Sequence, residues 1–132
     1  MEYVASYAAS LILFLIIDLV WIKTVMRPIF VRSVGDIMLE DPRMGAALVF
    51  FVVYLAGVTF FAVIPAVEAG SWSVAALHGM FLGVIAYGTY DATNLATLKG
   101  WTLRMSAIDT AWGGFLSAIA ATAGYFVVQA IS

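Results

Sequence analysis

The sequence of 132 residues contains no cysteine and little charge. Without cysteine, the chain can form neither a disulfide nor a thiolate metal site, and it has no cysteine nucleophile. Charged residues make up 11% of the chain and hydrophobic residues 64%, whereas about a quarter of an average soluble domain is charged. No run of basic residues indicates nucleic-acid binding. The composition therefore predicts a membrane protein, with the lipid bilayer as its main partner.

Four stretches are apolar over the length of about 20 residues that a membrane-spanning helix requires. Their bounds are predicted at about 3–22, 46–65, 74–97 and 106–131, with loops at about 23–45 and 98–105 on one side of the membrane. The first stretch is predicted to be a retained span, because a signal peptide would carry basic residues before it and none precedes Lys23. The sequence thus predicts an all-α fold, a single domain of four membrane-spanning helices packed as a bundle.

All six lysines and arginines lie in two of the three loops. They are Lys23, Arg27, Arg32 and Arg43 in the first loop, and Lys99 and Arg104 in the third. The positive-inside rule assigns both loops to the cytoplasm. Both termini are then expected on the non-cytoplasmic side of a bacterial inner membrane.

The first loop also carries Phe30, Val34, Ile37 and Met38 at helical spacing, with polar residues as far as Glu40 among them. This spacing predicts either a short amphipathic helix on the membrane surface or a plain connector.

Small residues recur every four positions in the last two spans, at Gly79 and Gly83 and at Gly113, Ser117 and Ala121. Such residues let helix backbones approach closely in lipid. The pattern favours packing within one bundle over a seam between two copies of the chain.

Three aspartates, Asp18, Asp91 and Asp109, fall on three different predicted helices near the cytoplasmic boundary. Asp18 precedes Lys23 by five residues, and Asp109 follows Arg104 by five. A rise of 1.5 Å per residue places both carboxylates about 7 to 8 Å inside that boundary. A carboxylate within a span costs about 2.5 to 3.5 kcal/mol on insertion scales. The three residues therefore predict one polar pocket that faces the cytoplasm.

The other residues predicted to bind a ligand in this pocket lie close to the aspartates in sequence. They are Trp21, Tyr87, Tyr90, Thr93, Asn94 and Trp112.

Each aspartate also has a purely structural interpretation. Asp109 is equally well placed to be the N-cap of the fourth helix. Asp18 could form an ion pair with Lys23, Lys99 or Arg104. Asp91 is either buried within a continuing helix or placed at the negative end of the helix dipole, and both positions require compensation.

Three motifs resemble a family of small bacterial predicted membrane proteins known only as a domain of unknown function. They are D-L-V-W at residues 18–21, Y-G-T-Y-D-A-T-N-L-A-T-L-K-G-W at residues 87–101 and I-D-T-A-W-G-G at residues 108–114. The resemblance covers essentially the whole chain and implies a four-span inner-membrane architecture, but no activity, substrate or cofactor. The family's characteristic positions are Asp18, Trp21, Tyr90, Asp91, Thr93, Asn94, Lys99, Trp101, Asp109, Trp112 and Gly113.

Three functions agree with these residues. The first is binding or transport of a small polar ligand, a cation or protons in the pocket, because carboxylates supply oxygen ligands. The second is an accessory or structural subunit of a membrane complex, with a second copy or another membrane protein as partner. The third is a membrane-embedded enzyme that acts on a lipid or an apolar metabolite, with Asp91 or Asp109 as general base. No metal site is predicted, and catalytic residues and cofactors stay unassigned.

Overall fold

A computed structural model describes residues 1–38 and 43–132 of the chain. These residues form four helices: α1 (Glu2–Ile37), α2 (Met44–Ala69), α3 (Trp72–Thr97) and α4 (Leu103–Ile131). The described ranges contain no strand. All four helices are long and apolar enough to cross a membrane, which confirms the prediction of an all-α, four-span fold.

Helix α1 is longer than predicted, because it does not end near Ile22. It passes through a π-helical turn at Ile22–Met26 into a further α-helical segment, Arg27–Val34, and a final 3-10 turn. Pro28 lacks the N–H that would bond the carbonyl four residues earlier, and a π turn is a common way to absorb such a defect. The amphipathic segment predicted in the first loop is therefore continuous with the first span. Glu40, which was included in that pattern, lies outside the described residues.

Helix α2 also continues beyond its predicted end at Pro65. It ends at Ala69, followed by Gly70 in the left-handed conformation at φ 65°. Pro65 deprives the Phe61 carbonyl of its usual donor. Nδ1 of His78 on α3 lies 3.3 Å from this carbonyl oxygen, and the ring nitrogen must donate because a carbonyl only accepts. This contact joins α2 to α3.

Helices α3 and α4 approach most closely along the small residues identified in the sequence. A Cβ atom added at Gly79 would lie 2.7 Å from the Ser117 carbonyl oxygen. One added at Gly83 would lie 2.7 Å from Oγ of Ser117 and would also meet the Gly113 carbonyl. The small residues thus pack against each other within one chain.

Helix α1 covers another side of α4. Its buried residues recur every four positions, at Ser6, Ser10, Phe14 and Asp18. At the start of this stripe the Ser6 hydroxyl donates to the Gly124 carbonyl at 2.9 Å. Asp18 therefore continues the face of α1 that packs into the bundle.

The end of α1 docks on the turn between α3 and α4. Val34, Trp101 and Met105 form a small apolar cluster, and the Phe30 ring stacks on Trp101 at 5.4 Å between centroids. In this turn, Gly100 has a φ of 82° and lies directly against the Ser33 carbonyl. All six basic residues are exposed, and this docking places them around one end of the bundle.

The α3–α4 seam predicts different effects of alanine at two glycines of the same helix. Gly83→Ala should lower the free energy of unfolding by about 1 to 3 kcal/mol, because the added methyl forces the helices apart. Gly88→Ala is the matched control, since its Cβ would lie 3.5 Å from the nearest atom of Thr110. It should gain up to about 1 kcal/mol from helix propensity. Equal effects of both substitutions on unfolding in detergent would contradict this packing.

Candidate functional site

A cavity of about 640 Å³ lies between the four helices, close to the end that carries the basic residues. Its polar lining residues are Asp18, Tyr87, Thr89, Tyr90 and Asp109. The rest of the wall is apolar and comes from the π turn of α1, the start of α2, and Phe30 and Ala86. Ligand pockets in proteins typically measure about 300 to 1,000 Å³ and combine apolar walls with a few polar groups. The cavity has both properties.

The cavity exists because the start of α2 keeps its distance from α3 and α4. Further along α2, the Tyr54 hydroxyl lies 2.6 Å from the Ser117 hydroxyl and anchors the helix to α4. Before this anchor, Ala46 and Ala47 line the cavity with side chains too small to fill it, beside Phe50 and Phe51. The result is an apolar, partly aromatic wall opposite the acidic residues.

Asp18 is only 4% exposed. Nε1 of Trp112 donates to its Oδ1 at 3.1 Å. The Trp112 ring in turn stacks on Trp21, with 4.1 Å between centroids and 5° between planes. No lysine or arginine within residues 1–38 and 43–132 appears among the groups that act on this carboxyl. The ion pair considered for Asp18 is therefore not formed in the described part of the chain.

Asp91 and Asp109 face each other across the α3–α4 seam. They are 1% and 8% exposed, and their carboxyl groups lie within hydrogen-bonding reach of each other. Thr110 donates to Oδ2 of Asp91 at 3.0 Å. The other oxygen, Oδ1, is buried and has no donor among the described residues unless the Asp109 carboxyl carries a proton.

The N-cap interpretation of Asp109 is wrong, and of the two alternatives for Asp91 the structure shows burial within a continuing helix. The N-cap of α4 is Thr102, whose Oγ1 accepts from the Met105 amide at 3.1 Å, so Asp109 lies almost two turns inside the helix. Helix α3 continues to Thr97, so Asp91 is buried within a helix rather than placed at its end. Both carboxyls are inside the bundle.

Tyr87 forms the inner wall of the cavity against α4. Its ring occupies the space that a Cβ at Gly113 would take, and it meets the Tyr54 ring edge-on at 6.4 Å. The hydroxyl of Tyr87 is buried without a hydrogen-bond partner among the described residues. An unsatisfied buried hydroxyl next to a cavity is a group that a ligand or water can bond.

Tyr90 stands closer to the turn between α3 and α4. Its ring meets Trp101 edge-on at 5.8 Å, and its hydroxyl lies beside the Asn94 side chain. Trp101 Nε1 donates to the Ser106 hydroxyl at 3.0 Å, which donates to the Asp91 carbonyl at 3.2 Å. These two hydrogen bonds hold the backbone of Asp91 in place.

The structure thus brings together only part of the predicted set. Asp18, Tyr87, Tyr90 and Asp109 line the cavity, and Asp91 lies behind Asp109. Trp112 donates a hydrogen bond to Asp18, and the Asn94 side chain lies beside the Tyr90 hydroxyl.

Thr93 and Trp21 do not line this cavity. The Thr93 hydroxyl donates to the Thr89 carbonyl of its own helix at 2.7 Å. Trp21 and Trp112 border a separate apolar groove between α1 and α4.

Sequence reasoning missed Thr110, Ser106 and Thr89. Thr110 follows Asp109 directly in sequence. A hydroxyl next to a buried acid could have been predicted to donate a hydrogen bond near it. For Ser106 and Thr89 no signal exists in the sequence, because their roles depend on which helix faces them.

The described acidic residues do not form a cluster of metal ligands. Within residues 1–38 and 43–132, no group of three His, Cys, Asp or Glu side chains is arranged to hold a metal ion. The arrangement instead offers two inward-facing carboxyls, unpartnered oxygen atoms and aromatic rings around an apolar space.

Residues 3–126 match the family model described as "Predicted membrane protein (DUF2177)". This confirms the resemblance noted in the sequence motifs, and it agrees with the four helices long enough to span a bilayer. No curated protein and no solved structure matches the chain.

The contact between Tyr87 and Gly113 yields a test of the cavity wall. Gly113→Ala should displace the Tyr87 ring and lower the free energy of unfolding by about 1 to 3 kcal/mol, with a change in the near-ultraviolet circular dichroism of the tyrosines. Gly57→Ala is the matched control, because no atom lies within 4 Å of a Cβ at that helical position. A Gly113→Ala variant that behaves like Gly57→Ala would show that the ring does not pack there.

Proposed function

We propose that this chain, which belongs to the DUF2177 family of predicted membrane proteins, binds an amphiphilic organic cation in the cavity between its four helices. One observation carries the proposal: Asp18 and Asp109 both line a mostly apolar cavity, and no basic residue of the described chain acts on either carboxyl. The apolar wall would hold the body of the ligand, and the two carboxyls would hold its positive group.

The chemistry of the wall favours an organic cation over a metal ion. Calcium and magnesium require about six or more oxygen ligands or retained waters, and the apolar residues that dominate the wall cannot supply them. Aromatic rings attract cations through their π faces, and Phe50, Phe51, Tyr87 and Tyr90 surround the space. An ammonium group with apolar substituents matches both the rings and the carboxyls.

The energetic cost of the buried acids supports the same conclusion. An ionised carboxylate in a low-dielectric interior costs several kcal/mol unless an opposite charge compensates it. A bound cation supplies that charge only when the ligand is present. An accessory-subunit role would place a compensating partner outside the bundle, whereas these acids face inward. Apart from other carboxyls, the described side-chain neighbours of Asp91 and Asp109 are threonine and tyrosine hydroxyls. A catalytic role would require a further reacting group beside them.

The distribution of basic residues supports an orientation for this site. All six surround the end of the bundle near the cavity, which the positive-inside rule places in the cytoplasm. The proposed location is thus a bacterial inner membrane, with the cavity facing the cytoplasm and both termini on the opposite side. Described residues of all four helices of one chain line the cavity, so the proposal requires neither a homo-oligomer nor a partner protein.

Two probes of nearly equal shape separate charge from apolar burial. Benzyltrimethylammonium and neopentylbenzene differ in the atom, N⁺ or C, that carries the three methyl groups. The purified protein in nanodiscs should bind the cation at least about tenfold more tightly than the neutral probe, a difference of about 1.4 kcal/mol. Lipid-only nanodiscs correct for partitioning into the bilayer. Asp109→Asn and Asp18→Asn should each remove most of this preference.

Glu68→Gln is the control for these variants, because it makes the same chemical change at an exposed residue on the last turn of α2. It should leave both affinities unchanged. Equal binding of the two probes, or a preference for the cation that survives in both aspartate variants, would overturn the proposal.

A further inference from the structure

Asp109 lies against both the cavity and the carboxyl of Asp91. It lines the cavity, whereas Asp91 does not and lies behind it within hydrogen-bonding reach. Asp91 is 1% exposed, and its Oδ1 is buried without a donor among the described residues. Oδ2 already accepts from Thr110. Oδ1 is thus the oxygen of Asp91 that can still accept a hydrogen bond from the Asp109 carboxyl.

Two ionised carboxylates cannot form a hydrogen bond, because neither has a donor. Close carboxyls in a buried site therefore hold one proton between them, since both cannot ionise at short distance in a medium of low dielectric constant. A shared proton would also provide Oδ1 of Asp91 with its missing donor. The geometry thus indicates that Asp91 and Asp109 retain one proton when the cavity holds no cation.

The groups that face this pair add negative or neutral character only. Among the described residues they are Asp18 on α1 and Tyr87 and Tyr90 on α3, whereas Tyr54 on α2 faces Tyr87 and Ser117. Asp18 accepts from the Trp112 indole and so has a donor without a proton of its own. The proton of the site therefore belongs to the Asp91–Asp109 pair.

We propose that a cation entering the cavity replaces this proton, so that the site exchanges one proton for one organic cation. This inference rests on the proposed function. The positive group lies against Asp109, the pair ionises fully, and its proton passes to water at the mouth of the cavity. Charge within the bundle is then the same before and after binding.

Such an exchange makes affinity depend on pH in a defined direction. Binding that releases a proton becomes tighter as pH rises, by up to about tenfold per pH unit while the pair still holds its proton. The experiment measures Kd of the wild-type protein in nanodiscs for benzyltrimethylammonium between about pH 5 and pH 9. A pH-indicating dye in weak buffer records the protons released, with about one expected per bound cation.

The variant Asp91→Asn identifies the source of the proton. Its amide can donate to Asp109 in place of the shared proton but cannot release it. Without the second carboxyl, the pH dependence of its affinity should move to lower pH than in the parent, and the dye should record fewer protons released near neutral pH. Glu68→Gln should retain both the pH dependence and the release.

The outcomes separate the two proposals. If the cation binds with a Kd that does not change with pH, or binds without releasing a proton, the proposed exchange is wrong. The proposed binding site would be unaffected. Release with the same pH dependence in Asp91→Asn as in the parent would also overturn the exchange, because the proton would then not depend on the pair. No binding at any pH would overturn the proposed function and the exchange with it.

Discussion

The close approach of α3 and α4 is the constraint on which the site depends. Gly79 and Gly83 leave no room for a side chain between α3 and the backbone near Ser117. Further along the same seam, Gly113 admits the Tyr87 ring, and Asp91 meets Asp109 and Thr110. In lipid, helices associate through packing and interhelical hydrogen bonds rather than through the hydrophobic effect. A seam of small residues therefore serves both to hold the bundle together and to bring two acids into contact.

Helix α2 gives this acidic seam access to an apolar space. The Tyr54–Ser117 contact fixes α2 halfway along its length, and small residues at its start leave the cavity open. The chain thereby holds carboxyls beside aromatic and aliphatic side chains without a compensating base in its described part. Such an arrangement stabilises a bound positive charge. When no positive charge is bound, it lowers the stability of the folded protein. Natural proteins commonly accept lower stability where function requires a strained or unsatisfied site.

The fold was predictable because lipid imposes a strong rule on sequence. A spanning helix must satisfy its backbone hydrogen bonds internally, so four apolar stretches mean four helices. Helix ends were less predictable: the π turn after Trp21 lets α1 continue past Pro28, and Thr102 rather than Asp109 caps α4. The sequence placed the three aspartates within predicted helices, and all three are buried. The apolar wall did not, because the position of Phe50 and Phe51 depends on how α2 packs against other helices. Thr93, close to Asp91 in sequence, instead bonds its own helix.

The most direct test of the central claim is the thermal stability of three variants, Asp18→Asn, Asp91→Asn and Asp109→Asn, in detergent without ligand. If the acids are retained to bind a cation, their neutral amides should unfold at the same temperature as the parent or higher. Asp18→Asn removes an uncompensated buried charge, and an amide at position 91 or 109 donates in place of the proton that the two carboxyls otherwise share. Glu68→Gln controls for the chemical change at an exposed site. A fall of more than about 4 °C in each variant, the shift expected for a loss of about 1 kcal/mol, would contradict the claim. The acids would then hold the helices together, and their position beside the cavity would have a structural explanation.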